Sequence, residues 1–291
     1  MSTSDCWVVS HGDKHAGERF ALLMPETELH EEGPNGEIVP FKPGLNATQH
    51  LFLELYQSQI QAVIDIADGA PVVLLDGGDL CHGNKYPGRL MSNRLSDQVF
   101  IAADCLRQWA VVPNLSAVRI CLGTEAHNAG DGSLEHLVAE QVKDDLPDVR
   151  LSSHWRLEIG GALFDVAHHG PPPGSRYWLS ANSLRWYVQD LVLRDEMELG
   201  ERAPDVVLRF HYHTFVSAPF DYTYHKRTRH VYSYVHPAWC GMNPHAQKST
   251  RSKATTHVGI LMFHVVDGEI VEVVDRMVVW LDRRTKEVVN V

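Results

Sequence analysis

Apolar residues along this chain fall into short runs separated by stretches with helical spacing. Trp7-Val8-Val9, followed by Ser10-His11-Gly12, predicts a buried strand that enters a loop. Residues 24–44 are rich in Pro, Gly and Glu and predict a long surface loop of the kind that serves as a lid or binding loop. Asn46 can cap a helix that carries Leu51, Leu55, Ile60, Val63 and Ile64, with Gly69 and Pro71 ending it. Val72-Val73-Leu74-Leu75 predicts a second strand. A helix over 92–111 is closed by Pro113, and a strand over 118–122 follows. Helical spacing returns over about 134–142 and 181–197. Between them lies a strand pair over 157–167 about Gly160-Gly161. After a strand at 206–208 the chain ends in two strands, 258–266 and 270–281, and the Asp267-Gly268 between them is a hairpin signal.

Strands alternate with helices for two thirds of the chain and then take over, which predicts an α/β layered fold with a mixed sheet. No repeat, low-complexity segment or linker interrupts it. The expectation is one domain over 1–291, with a lid loop at 24–45. At 291 residues and 44% hydrophobic content the chain can bury a full core. No run of 18 apolar residues is present, so no membrane-spanning helix is expected. The N-terminus lacks the pattern of a signal peptide. Five cysteines, odd in number and without a C-x-x-C pair, suggest neither a disulfide framework nor a thiolate zinc site. The expected address is a reducing cytoplasm, bacterial or that of a host if the chain is phage-encoded.

Charge narrows the partners. With 26 Lys and Arg against 37 Asp and Glu, the net charge is −11, which repels nucleic-acid backbones unless a local basic patch offsets it. Residues 225–253 form such a stretch, a basic insert without Asp or Glu. It holds Lys226, Arg227, Arg229, Lys248, Arg251 and Lys253, with Tyr232, Tyr234 and Trp239 interleaved. That composition suits a phosphate backbone with stacked bases, and equally a solvated loop or an oligomer contact. Glu26, Glu28, Glu31, Glu32 and Glu37 in the long loop act the other way: they would repel a long polyanion, or simply form a solvated face.

The chain has 18 histidines, and their positions matter more than their number. Asp13-x-His15 follows the first strand, and Asp79 follows the second in Asp76-Gly77-Gly78-Asp79. Gly123-Thr124-Glu125-Ala126-His127 follows the third, His168-His169-Gly170 ends a fourth, and His211-Tyr212-His213 ends a fifth. Ligands of open α/β sheets bind beyond the carboxyl ends of strands, so these clusters are expected on one rim of one sheet. Carboxylates with neutral imidazoles suit manganese, iron or zinc. Taken singly, an Asp-x-His or His-x-His is a weak signal; five in this order, each at a strand end, form a metal-site pattern.

That order resembles the calcineurin-like metallophosphoesterase superfamily, which shows Asp-x-His, Gly-Asp, Gly-Asn-His-Asp/Glu, a His, and Gly-His-x-His, each after a strand. Asp13-Lys14-His15-Ala16-Gly17 matches the first element and Gly78-Asp79 the second. Gly78-Asp79-Leu80-Cys81-His82 is similar to the nuclease branch. His168, with its neighbour His169, matches the fourth element, and His211-Tyr212-His213 the fifth, with Phe210 where the family has Gly. The third departs from the pattern: Thr124-Glu125-Ala126-His127 places the His two residues late and offers Thr124, Glu125 or His127 as the ligand. Some phage-encoded members look similar here.

The resemblance implies a layered β-sandwich of mixed sheets flanked by helices, with the terminal hairpin in the second sheet. It also implies two divalent ions, manganese first, with iron, zinc or nickel as alternatives. Asp13, His15 and His213 would hold one ion; His168, His211 and a ligand from the 124–127 loop would hold the other; Asp79 would bridge. A bridging hydroxide would attack phosphorus and His127 would protonate the leaving oxygen. Asp165, Asp76 or backbone carbonyls could orient the imidazoles. Three functional readings follow: a phosphomono- or diesterase for a small molecule, a metal-dependent nuclease for DNA or RNA, and a non-catalytic metal-binding relative. The sequence gives no substrate-binding residue, no expected membrane contact and no oligomeric state.

Overall fold

The computed structural model describes residues 4–127, 133–173, 176, 179–224, 226–241, 255–279 and 287–288. Its centre is two sheets packed face to face. The first has the strand order β15-β14-β1-β4-β5-β6, where β1 is Asp5–His11, β4 Val72–Asp76, β5 Leu115–Cys121, β6 Val149–Ser152, β14 Leu261–Val266 and β15 Glu269–Asp275. Strands β1, β4, β5 and β6 run parallel, and β14 and β15 join antiparallel. The second sheet has the order β10-β12-β9-β8-β7, from β7 (His154–Ile159), β8 (Ala162–Ala167), β9 (Val206–Arg209), β10 (Val216–Ser217) and β12 (Arg227–Val235), with β11 (Phe220–Tyr224) paired to β12. It too is mixed, with β8, β9 and β12 parallel.

Alternation along the strands explains the layering. Trp7 and Val9 of β1 point to one apolar cluster, shared with helices α1 (Ala47–Ala67), α2 (Leu95–Arg107) and α3 (Ser133–Val142). Cys6 and Val8 point to another, where Phe164, Val166, Val206 and Leu208 of the second sheet meet Phe263 and Val265. On the outer face of the second sheet, Leu184, Val188 and Val192 of α4 (Asn182–Leu193) pack on Val207 and Val235. The result is helices, sheet, sheet, helix: an α/β sandwich of mixed sheets flanked by helices.

Several local expectations change. The terminal hairpin extends the first sheet rather than the second, because β14 pairs with β1. The last two residues of the predicted strand, 280 and 281, lie outside the described residues. The long loop at 24–44 contains a small hairpin, β2 (Leu29–Glu32) with β3 (Ile38–Phe41). Hydrogen bonds to α2 anchor it: Thr27 Oγ1 donates to Asp104 (2.7 Å) and the His30 N–H to Asp97 (3.1 Å). Helix α1 has its predicted cap at Asn46, completed as a capping box by Gln49; its buried face holds Ile60 and Val63 as expected, with Phe52, Tyr56 and Ala67, while Leu51, Leu55 and Ile64 are only partly buried. Strands β10 to β12 arise where no strand is predicted, so residues 227–235 of the basic stretch form a sheet strand rather than an inserted loop.

Among the described residues no helix is long and apolar enough to cross a membrane.

Candidate metal centre

The five polar clusters do meet on one rim, but two sheets supply it: β1, β4 and β5 from the first, β8 and β9 from the second. Backbone hydrogen bonds carry the pairing past the strand ends. The Asp13 N–H donates to the Gly78 carbonyl (2.9 Å), His15 N–H to Asp79 (2.8 Å) and Ala16 N–H to Leu80 (2.8 Å). Phe210 N–H donates to the His168 carbonyl (3.0 Å), which ties the two loops of the second sheet together. Asp13, His15, Asp79, His211 and His213 all adopt left-handed backbone, with φ of 51°, 48°, 49°, 72° and 49°. Each such residue costs on the order of 1–3 kcal/mol. These tight turns aim side chains from neighbouring loop positions into one buried volume.

Phe210 stands where the superfamily pattern has glycine, and glycines elsewhere make room for it. A Cβ on Gly77 would lie 2.1 Å from the Phe210 ring, and one on Gly12 2.7 Å from it. Beneath the rim, the buried Lys14 ammonium pairs with Asp76 and lies 3.1 Å from His11 Nδ1. Asp76 Oδ1 also accepts the Gly78 N–H (3.0 Å). Asp76 therefore holds the turn on which Asp79 sits and orients no rim imidazole.

Asp79 lies at the middle of the cluster. Its Oδ2 is 3.1 Å from His168 Nε2 and 3.9 Å from His15 Nε2. Asp13 Oδ2 accepts the His211 N–H (3.1 Å), while its buried Oδ1, 3.9 Å from His168 Nε2, has no hydrogen-bond partner among the described residues. His15 Nε2 and His213 Nε2 are 2.9 Å apart. Nitrogens that close share a proton or a cation. His168 Nδ1–H donates to the Gly77 carbonyl (2.7 Å), which fixes its tautomer and leaves Nε2 facing the cluster. A backbone carbonyl thus orients His168. Asp165, the other candidate for that task, instead binds His154 and Arg209 away from the rim.

Four groups of side chains could hold an ion, each with its donor atoms within 4.8 Å of one another. They are Asp13–His15–His213, Asp13–Asp79–His168, His168–His169–His211 and His15–His82–His127. They contain all six sequence-predicted ligands and His127, and they add His82 and His169. His82 stands three residues after Asp79 and His169 directly after His168, so both were visible in the sequence as neighbours of ligands.

Electrostatics suit a cation. Burial pushes the Asp13 carboxyl up to about 8, with the Asp79 charge adding and His168 opposing. Burial acts upward on Asp79 as well, but His168 and His15 outweigh it and hold Asp79 well below the usual carboxylate range. His168 is lifted to about 10 by Asp79 and Asp13 in spite of its burial. Burial lowers His15, takes His213 down to about 3 and His211 to about 4, and lowers His169 together with the His168 charge. Most of the imidazoles are therefore neutral near pH 7, with lone pairs free, around a carboxylate held ionised. An ionised Asp79, mostly neutral imidazoles and a buried Asp13 oxygen without a hydrogen-bond partner among the described residues make a donor set that fits divalent transition ions, which would draw the proton off Asp13.

In the loop after β5, the Thr124 N–H donates to Asp79 Oδ1 (2.6 Å). The Thr124 hydroxyl lies 3.3 Å from Asp79 Oδ2, 3.2 Å from His168 Nε2, 3.1 Å from His211 Nδ1 and 3.5 Å from His169 Nε2. Glu125 is exposed and belongs to none of the four groups. His127 Nδ1–H donates to the His82 carbonyl (2.6 Å), and its ring centre is 4.6 Å from that of His15.

Of the basic stretch, Lys248, Arg251 and Lys253 lie outside the described residues. Arg229 lies on β12 six residues before Val235, the end that adjoins the rim, and about 3.3 Å per residue places it about 20 Å away. There Arg229 and His230 line a cleft of about 740 Å³ with Arg202, Asp205 and Glu269.

No protein-family model matches the chain, and no curated protein matches it. Among solved structures, it is similar to one described as a novel archaeal phosphodiesterase, at 14% sequence identity and a TM-score of 0.41, with 94% of this chain and 99% of that chain covered.

Proposed function

We propose that this chain is a metal-dependent phosphoesterase of the calcineurin-like superfamily, which hydrolyses phosphate mono- or diesters with two divalent ions. The observation that carries this reading is the convergence of Asp13, His15, Asp79, His168, His211 and His213 at one rim, with Asp79 Oδ2 between the two halves. In this reading Asp13, His15 and His213 hold one ion, His168 and His211 hold the other, and Asp79 serves both. Such ions supply Lewis acidity toward a phosphoryl oxygen and bring the pKa of a water near neutrality. The chain's own contribution is position. The left-handed, mutually hydrogen-bonded loops hold the donors before substrate arrives. His127, whose Nδ1–H is committed to the His82 carbonyl, turns Nε2 toward the site, and in its doubly protonated form would give the Nε2 proton to the leaving oxygen and remain as the Nδ1–H neutral ring. General-acid help of this kind is worth roughly 10²–10⁴ in rate.

Two features favour a small ester over a polynucleotide: the net charge of −11, and the distance of Arg229 from the rim. The nuclease reading draws on His82, whose ring lies 5.1 Å from that of His127. Binding to single-stranded DNA that falls steeply with salt would favour it. For the phosphoesterase itself, the test is hydrolysis of a chromogenic phosphodiester by chelator-stripped protein with and without Mn²⁺. Activity should need the metal and should be lost in Asp79→Asn. Full activity without metal, or wild-type activity in the variant, would overturn the proposal.

A further inference from the structure

The superfamily pattern puts Asn after the Gly of the third element, and this chain has Thr124 there. A threonine is shorter than an asparagine and offers a hydroxyl in place of a carbonyl. The hydroxyl nevertheless lies at the focus of the second half of the rim, 3.1–3.5 Å from a carboxylate oxygen and three imidazole nitrogens. A hydroxyl has one proton to donate and accepts at most two. Four polar atoms carried on three other loops thus converge on one hydroxyl, which can donate to only one of them. The spacing has its own meaning: donors about 2.1 Å from a shared ion, at tetrahedral or right angles, lie about 3.0–3.4 Å apart. The separations of Thr124 Oγ1 from Asp79, His168 and His211 fall in that range, and the 3.5 Å to His169 lies just beyond it.

His169 is the unusual member. It is more exposed than His168, yet its ring centre lies 4.8 Å from that of His211 and 4.9 Å from that of His168, and the three rings form one of the groups able to hold an ion. Consecutive residues of an extended strand point to opposite faces, but His168 and His169 lie just beyond β8, ahead of Gly170-Pro171, where the chain leaves the sheet and both rings can turn to one side.

We propose that His169 and Thr124 together replace the missing asparagine, so that the second ion is bound by three imidazoles, His168, His169 and His211, with Asp79 and the Thr124 hydroxyl. Within the phosphoesterase reading, on which this rests, the two positions are then unequal. The first has the nitrogens of His15 and His213 beside carboxylates; the second has three nitrogens. Imidazole-rich sites favour zinc, nickel, cobalt or iron over manganese and magnesium, so the second position selects the softer ion.

The test is calorimetric titration of chelator-stripped protein with Co²⁺ and with Mn²⁺, together with the visible absorption of the cobalt form. Wild-type protein should bind two Co²⁺, one of them much more tightly than it binds Mn²⁺. His169→Ala should weaken one Co²⁺ by more than the roughly 10–100-fold that loss of a ligand's hydrogen-bond partner costs. It should leave the other ion unchanged and alter the cobalt spectrum. Thr124→Val, which keeps the shape and removes the hydroxyl, should weaken the same ion. Two cobalt ions bound with wild-type affinities and spectrum in His169→Ala would overturn this assignment and leave the phosphoesterase reading standing. Failure of wild-type protein to bind any ion would overturn both.

Discussion

Gly123 makes the sharpest test of how the rim is built. Its backbone does not need glycine's conformational freedom, so a methyl group there acts through space alone. A Cβ at Gly123 would lie 2.2 Å from Asp79 Oδ1 and 2.4 Å from the Asp79 amide nitrogen. The carboxylate could swing away, but the amide belongs to a turn whose carbonyl accepts the His15 N–H. Forcing that turn apart is overpacking, which costs about 1–3 kcal/mol. Swinging the carboxylate breaks the 2.6 Å bond from the Thr124 N–H to Asp79 Oδ1. Such a charge-assisted bond is worth about 1.5–3 kcal/mol. The stiffer unfolded chain of the alanine variant returns about 0.4–1 kcal/mol. With both costs incurred, Gly123→Ala should destabilise the protein by about 1.5–5.5 kcal/mol, a fall in Tm on the order of 10 °C at about 2–4 °C per kcal/mol. It should also displace Asp79 and weaken ion binding at least about tenfold. Gly44→Ala is the control: its added Cβ meets nothing within 4 Å, so its effect should be no more than the gain of about 0.4–1 kcal/mol from the stiffer unfolded chain. The assays are thermal unfolding followed by circular dichroism and calorimetric titration with Mn²⁺. A Gly123→Ala protein with the Tm and ion affinity of Gly44→Ala would refute the placement of Asp79 against this loop.

Two further outcomes are expected. His127→Ala should lower kcat by about 10²–10⁴ while both ions still bind, and loss of an ion equivalent by metal analysis would make His127 a ligand instead of the acid. His236, fully buried between Ser10 and Phe210, is taken by burial from 6.5 down to about 3. The unfolded chain therefore binds the extra proton, and the stability tied to the neutral ring is complete above about pH 6.5 and falls away as the pH drops toward 3. Over that window the loss is about 5 kcal/mol at about 1.36 kcal/mol per pH unit. His236→Leu should remove about one proton from the slope of unfolding free energy between pH 6 and 4, measured by urea titration at fixed pH steps, and an unchanged slope would contradict the assignment.

What the sequence revealed depended on whether the signal was local. Val72-Val73-Leu74-Leu75 announced itself because a strand buried on both faces reads as an unbroken apolar run. Asn46 announced its helix because a capping box is complete within four residues. By contrast, β11 and β12 are hidden in a run of Tyr, Thr, Arg and His, since only alternate residues such as Val231 and Val235 face the core. On α1 the spacing reaches Ile60 and Val63 of the buried face but not Tyr56, which is buried by an arrangement no spacing announces: it accepts from the Trp109 indole (2.7 Å) and donates to the Cys105 carbonyl (3.2 Å). The final hairpin was predictable as a hairpin, but its neighbour was not, because an apolar strand does not state which sheet it will join.

The candidate site divides along the same line. Asp13, His15, Asp79, His211 and His213 could be picked out because each sits at the end of a readable strand and carries a side chain whose chemistry is distinctive. Thr124 could be named only as one of three candidates, with Glu125 and His127, because its hydroxyl gains meaning only from atoms on three other loops, and no spacing within the 123–127 segment encodes them. Backbone conformation supplies what spacing lacks. Nine non-glycine residues have positive φ among those described, and five of them are the predicted ligands. Surface turns account for such residues when an Asp or Asn sits at a bend, as Asp267 does in the final hairpin. They do not account for histidines at positions 15, 211 and 213, nor for buried carboxylates at 13 and 79. Strain at about 1–3 kcal/mol per residue persists only where surrounding structure enforces it. Here the enforcing structure is the hydrogen-bonded loop ladder, and what it enforces is the approach of the Asp13 and Asp79 carboxyls and of the His15 and His213 nitrogens, groups that could share a cation. The fold therefore holds strained backbone in place to bring together side chains that could hold an ion.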